Sequence, residues 1–159
     1  MNSQLRKASI ERYSRQIILK DIGTIGQKKI ISAKVLIVGV GGLGSPAAEF
    51  LTRAGVGSIG IVDDDKVSLS NLHRQSLYNT SDIGKFKVQV AKVKIKKINP
   101  NIKIKIYKIR LNKNNFKKII NRKIFKTNST KRYWHYRTKK NYICKSFNCW
   151  NGWLRVSCC

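Results

Sequence analysis

The stretch from Ala33 to Val67, "AKVLIVGVGGLGSPAAEFLTRAGVGSIGIVDDDKV", constrains the fold of this chain more than any other. Val35 to Val38 is a short unbroken apolar run, the pattern of a parallel strand buried on both faces. Gly39, Gly41, Gly42 and Gly44 follow within six residues, and "SPAAEFLTRAG" then reads as a helix. Ser45 is its expected cap, Pro46 suits its first turn, and Gly55 or Gly57 is its expected stop. Ala47, Ala48, Leu51 and Ala54 form its expected apolar stripe. Ser58 to Val62 reads as a second buried strand that ends on Asp63, Asp64 and Asp65. Strand, glycine loop, helix and strand in that order predict the opening half of an α/β, Rossmann-like doubly wound fold with a mostly parallel sheet.

Each part of this unit suits a nucleotide. Glycines let the backbone approach a phosphate or ribose without Cβ atoms in the way. A helix N-terminus presents unpaired N–H groups to an anion. Asp63 lies nineteen residues after Gly44, where an acid at the tip of the next strand can accept hydrogen bonds from ribose hydroxyls. The glycines do not select among NAD, FAD and ATP, which share this architecture. The residues that follow are more selective. In "SLSNLHRQ", Asn71 and Arg74 stand three apart, so one helical turn presents both to one ligand. Arg offers a planar fork matched to phosphate oxygens, with Asn as a donor beside it. Lys85 and Lys87 open a helix whose apolar stripe is Val88, Ala91, Ile95 and Ile98, although the Val88–Val90 alternation also permits a strand. Asn99-Pro100 ends it, Ile102 to Ile109 alternates as a strand does, and "NKNNFKKII" reads as a short helix.

Four blocks together, "RYSRQI" at 12–17, "VLIVGVGGLGSP" at 35–46, "AGVGSIGIVDDDKVSLSNLHRQ" at 54–75 and "IGKFKV" at 83–88, resemble the ThiF/MoeB/HesA family. These are ubiquitin-activating-enzyme-like adenylyltransferases, and the resemblance covers about residues 8–122. It implies a nucleotidyltransferase that joins ATP, with Mg²⁺, to the C-terminal glycine carboxylate of a ubiquitin-like sulfur-carrier protein, as in molybdopterin or thiazole biosynthesis. It implies that Gly39, Gly41, Gly42 and Gly44 line the ATP and that Asp63 binds its ribose. Ser70, Asn71, Leu72, His73 and Arg74 would surround the nucleotide. Arg74 and Lys87 are the implied catalytic cations, Lys87 neutralising the triphosphate. Arg15 would reach the site of a neighbouring subunit, which makes the expected state a homodimer. His73 reads as a spacer rather than a ligand or base. Two rival readings are an NAD-dependent Rossmann oxidoreductase, which leaves Asn71, Arg74 and Lys87 unexplained, and a basic RNA-binding protein.

The RNA reading rests on charge, and the charge is uneven. Residues 1–82 hold eleven Lys and Arg against all seven acids, whereas residues 83–159 hold twenty-three and no acid. A net charge of +27 thus comes mostly from the second half, and it ignores every motif before residue 90. Nucleic acid is therefore not the expected partner. The lack of acids after Asp82 also removes the aspartate that the family carries in a D-x-x-D-N segment and that is implied to help hold Mg²⁺. No metal ligands are assigned in this chain. Zinc is not expected either, because Cys144, Cys149, Cys158 and Cys159 do not form the two C-x-x-C pairs of a structural site. The expected organisation is an incomplete ATP-binding domain over 1–122 and a basic, Cys- and Trp-bearing tail over 123–159. The break in composition reads as a frame change or truncation. No apolar run approaches the ~20 residues that span a bilayer, and the first residues lack a secretory pattern, so the expected location is cytoplasmic.

Overall fold

A computed structural model of the chain describes residues 5–112, together with 114, 115 and 119. Three helices come first: α1 (Lys7–Arg12), α2 (Ser14–Ile17) and α3 (Gly23–Ser32). The chain then alternates as β1 (Lys34–Val38), α4 (Gly44–Ala54), β2 (Ser58–Val62), α5 (Lys87–Ile98) and β3 (Lys103–Tyr107). Between β2 and α5 lie two single 3₁₀ turns, Leu69–Asn71 and Thr80–Asp82. The strands form one parallel sheet in the order β1-β2-β3, with Val35 opposite Ile59 and Ile59 opposite Ile104. Each crossover is a helix, and a Rossmann-like half-fold is what results.

The apolar runs place the sheet between two hydrophobic layers. On one face, Ile37, Ile59 and Ile61 meet Ala48 of α4 and Val88, Ala91 and Ile95 of α5. On the other, Leu36 and Val62 meet Ile119, with Val38, Tyr107 and Leu111 packed at the margin. Neighbouring residues of β1 thus bury opposite faces, which is why that strand reads as a continuous apolar run. Ile59, Ile61, Ile95 and Ile102 are at most 2% exposed, and burying each contributes about 2 kcal/mol.

The family-like "RYSRQ" segment docks onto this unit through Tyr13. Its ring is buried, and its hydroxyl accepts a hydrogen bond of 2.9 Å from Asn99 Nδ2 at the end of α5. Arg12 Nη1 reaches the Ile98 carbonyl at 3.2 Å. No helix among the described residues is long and apolar enough to cross a membrane.

Two local expectations are corrected. Ser45 does not cap α4: the helix begins at Gly44, Leu43 is the capping residue, and no side chain caps it. The Ser45 hydroxyl instead turns back and donates to the Val40 carbonyl at 2.8 Å. Ala47 is exposed, so the buried face of α4 is Ser45, Ala48 and Thr52. Gly55, not Gly57, terminates the helix, in a left-handed conformation at φ 89°. The strand expected over 102–109 spans Lys103–Tyr107. Asn114, Asn115 and Ile119 are helical, as "NKNNFKKII" suggests. The tail over 123–159 and its cysteines lie outside the described residues.

Candidate functional site

The loop between β1 and α4 owes its shape to contacts at both ends. Gly39 N donates to the Val62 carbonyl at 2.8 Å, tying the loop to the neighbouring strand tip. A side chain at Gly44 would collide with the Gly39 carbonyl, so the loop can close only with glycine there. Val40 is fastened at both its polar groups. Its N–H donates to Asp63 Oδ2 at 2.7 Å, and its carbonyl accepts from Ser45 Oγ at 2.8 Å and Tyr78 Oη at 2.9 Å. Burial pushes the Tyr78 hydroxyl well above the usual phenol range. The Ser45 hydrogen bond opposes that shift and the carboxylates of Asp63 and Asp82 add to it, so the group stays a donor at every working pH.

Beyond Val40 the backbone changes character. The N–H groups of Gly41, Gly42, Leu43 and Gly44 have no acceptor among the described residues. Unpaired donors at the N-terminus of an eleven-residue helix, with the positive end of the helix dipole behind them, are a chemistry suited to an anion.

The loop opens into a cleft of about 660 Å³. Gly41, Gly42 and Leu43 form one wall, and Asn71, Arg74, Gln75, Asp65 and Lys87 the other. Lys87 is nearly sealed, its side chain 6% exposed, and its Nζ meets Asp65 Oδ2 at 3.0 Å. Its own N–H also donates to the Asp65 carbonyl at 3.0 Å, so Asp65 holds both ends of the lysine. Arg74 lies over Gly42 and braces itself on the Ser70 carbonyl at 2.9 Å, with the His73 ring 3.2 Å from the same nitrogen.

Asn71, Arg74 and Lys87 are therefore brought together with Gly41 and Gly42. The other expected residues stand around them. Gly39 shapes the loop, and Gly44 begins α4. Leu72 packs against the core, whereas Ser70 and His73 are exposed on the turn that carries Arg74. Asp63 takes one main-chain N–H on each oxygen, from Val40 and from Asp65, which leaves a lone pair on each for a hydroxyl donor. Arg15 is exposed on α2 and does not line this cleft.

Sequence reasoning did not single out Gln75, Leu43, Tyr78 or Asp65's grip on Lys87. Gln75 is 3% exposed, lines the cleft, and its Oε1 is buried without a partner. Its place in the "SNLHRQ" block was the only available signal.

The family resemblance implies a Mg²⁺ ion, for which the nearby oxygen donors are the three aspartates at the tip of β2. The carboxylates of Asp63, Asp64 and Asp65 lie within 4.8 Å of one another. Asp63 is engaged by main-chain N–H groups and Asp65 by Lys87. Among the described residues Asp65 is the only acid lining the cleft. Such a set fits an ion carried mainly by phosphate oxygens and water, with one carboxylate at most.

The parallel sheet with its glycine loop and helical crossovers places the domain in the doubly wound, Rossmann-like α/β class. A ThiF family profile matches residues 13–130, which covers most of the chain, and the chain belongs to the ThiF family. Over 114 residues it is 43% identical to the sulfur carrier protein adenylyltransferase of Thermus thermophilus, an alignment covering 72% of this chain and 42% of that one. It is 45% identical over 106 residues to a probable molybdopterin-synthase adenylyltransferase of Gracilaria tenuistipitata, covering 67% and 30%. Among solved structures, the E. coli tRNA N6-threonylcarbamoyladenosine dehydratase TcdA in complex with ATP aligns with a TM-score of 0.69 at 28% identity, covering 74% of this chain and 48% of that one. The chain thus spans less than half the length of each of these relatives.

Proposed function

We propose that the cleft binds ATP and that the domain is built to adenylate the C-terminal glycine carboxylate of a ubiquitin-like sulfur-carrier protein. In that reaction a carboxylate oxygen attacks the α-phosphorus, the bond from the α-phosphorus to the bridging oxygen breaks, and pyrophosphate leaves with its electrons. Little covalent chemistry is asked of the protein, which has to orient the triphosphate and offset charge where it develops. One observation carries the reading: Gly41, Gly42 and Leu43, whose N–H groups have no acceptor among the described residues, line a single cleft with Arg74 and the nearly buried Lys87.

The roles are those the family resemblance implies for these positions. Gly41 and Gly42 lie against the nucleotide, and Asp63 accepts from the ribose. Arg74 and Asn71 contact the phosphates, and Lys87 neutralises them. Among the described residues, Asp65 would be the cleft's one carboxylate available to a Mg²⁺ ion, and such an ion would supply charge neutralisation for the departing pyrophosphate. Arg15 serves the cleft of a second copy, which makes the working form a homodimer, and the reaction belongs in the cytoplasm. An adenylyltransferase accounts for Arg74, Asn71 and Lys87 together, which a dinucleotide oxidoreductase does not.

ATP–pyrophosphate exchange with candidate sulfur carriers tests the reaction. Thermal shift tests the ligand: ATP is expected to raise the melting midpoint and NAD to leave it unchanged. Protection by NAD alone would transfer the cleft to the oxidoreductase reading.

A further inference from the structure

The residues that grip Val40 are not in the cleft, yet they determine what the cleft presents. Both polar groups of Val40 are satisfied by the protein, the N–H by Asp63 and the carbonyl by two hydroxyls from different elements. Ser45 comes from the first turn of α4, and Tyr78 comes from the segment that follows Arg74 and Gln75. The next four residues are the ones whose N–H groups have no acceptor. A peptide held at both ends sets the direction of the peptides that follow it, because the intervening dihedrals are few and one of the residues is a sterically locked glycine. Ser45 is fully buried and Tyr78 is 4% exposed, so neither hydroxyl exchanges its bond with water.

We propose that Ser45 and Tyr78 are positioning residues for the nucleotide's phosphates, acting through the Val40 carbonyl to aim the N–H groups of Gly41 to Gly44. This inference rests on the ATP reading of the cleft and deepens it. The two hydroxyls share one acceptor, so either alone keeps the peptide oriented and the loss of both releases it. Tyr78 also fastens the Asn71–Gln75 segment to the glycine loop, which fixes the spacing between the two walls of the cleft.

The test measures ATP and adenosine binding by the full chain as wild type, S45A, Y78F and the double variant. Adenosine lacks phosphates, so a loosened anion seat leaves its affinity alone. Each single variant is expected to weaken ATP less than about threefold, and the double variant about thirtyfold or more, beyond the product of the singles. Adenosine affinity is expected to change less than about twofold in all three, a pattern that general loosening of the fold does not produce. Equal losses for ATP and adenosine, or unchanged ATP binding in the double variant, would overturn the inference. If that double variant fails to fold, the volume-conserving S45C/Y78F pair takes its place and is read by the same criteria: ATP weakened well beyond adenosine supports the inference, and equal losses or unchanged ATP binding reject it. Wild-type protein that binds no ATP would remove the nucleotide reading itself, and this inference with it.

Discussion

Lys87 and Asp65 form a lopsided pair, with side chains 6% and 66% exposed, and the asymmetry decides what each contributes. Removing Asp65 strands a nearly buried ammonium, whereas removing Lys87 leaves a carboxylate that water already solvates. Asp65→Ala is therefore expected to cost about 1–3 kcal/mol of stability, and Lys87→Met, which keeps the apolar stem, clearly less. ATP binding is expected to suffer in the opposite order. Denaturant melts and ATP titrations of both variants check this, and a larger stability loss for Lys87→Met would contradict it. Gln75 separates the same two quantities. Its buried Oε1 has no partner, which costs free energy in the unliganded fold. Gln75→Leu is expected to leave the melting midpoint unchanged or raised while weakening ATP, and a lowered midpoint with unchanged affinity would show that the amide has no ligand role. Neither behaviour was legible in the sequence. Asn71, Arg74 and Lys87 stand out by type and spacing, but the burial of Gln75 and the clasp of Asp65 depend on segments that meet only in the fold.

At the scale of elements, the alternation of strand and helix was legible because each segment carries its own period. The start of α4 was not. Ser45 in front of an apolar stripe looks like a cap, but here the helix N-terminus is left uncapped and the hydroxyl serves the loop behind it. A free N-terminus is the form a binding site requires, so the ordinary capping rule fails where the cleft is built. The other end of α4 obeys its rule with little tolerance. Gly55 has φ 89°, and a Cβ there would come within 2.5 Å of the Tyr13 ring. Gly55→Ala is expected to cost about 2 kcal/mol or more, combining left-handed strain with displacement of the ring that docks the N-terminal helices. The turn Thr80–Asp82 supplies a pH-dependent element. Asn79 and Asp82 form a capping box, with Lys94 3.2 Å from Asp82 Oδ2. Burial alone would raise the Asp82 carboxyl, but the Asn79 N–H and the Lys94 ammonium, with Lys85 behind them, outweigh it and hold the carboxyl below the usual value. A lowered folded pKa contributes stability that is complete above the unfolded value of about 3.9 and is lost as pH falls through the folded one. The wild type is therefore expected to melt higher than Asp82→Asn at pH 6, with the gap closing below about pH 4. A gap that does not change with pH would remove the carboxylate from the explanation.

For the molecule as a whole, binding and turnover rest on different parts of the chain. On the proposed reading, the anion donors, cations and ribose acceptor of the nucleotide seat all lie between Gly39 and Lys87. The family resemblance attaches Mg²⁺ and the adenylation step to a later aspartate, and residues 83–159 contain no acid of any kind. Holding ATP needs complementarity to the ground state. Adenylation needs charge offset that grows as the pyrophosphate leaves, and a chain lacking that carboxylate offers it only through Arg74, Lys87 and a phosphate-borne ion. The 159-residue chain is thus expected to bind ATP yet exchange pyrophosphate very slowly, at about a hundredth or less of the rate with the carboxylate present. Comparing calorimetric ATP binding with exchange in the presence of a sulfur carrier separates the two quantities. Adding a polypeptide that carries the D-x-x-D-N segment is expected to raise exchange without tightening ATP in proportion. Fast exchange by the chain alone would mean that an acid already present, with Asp65 the nearest in the cleft, performs the task assigned to the missing one.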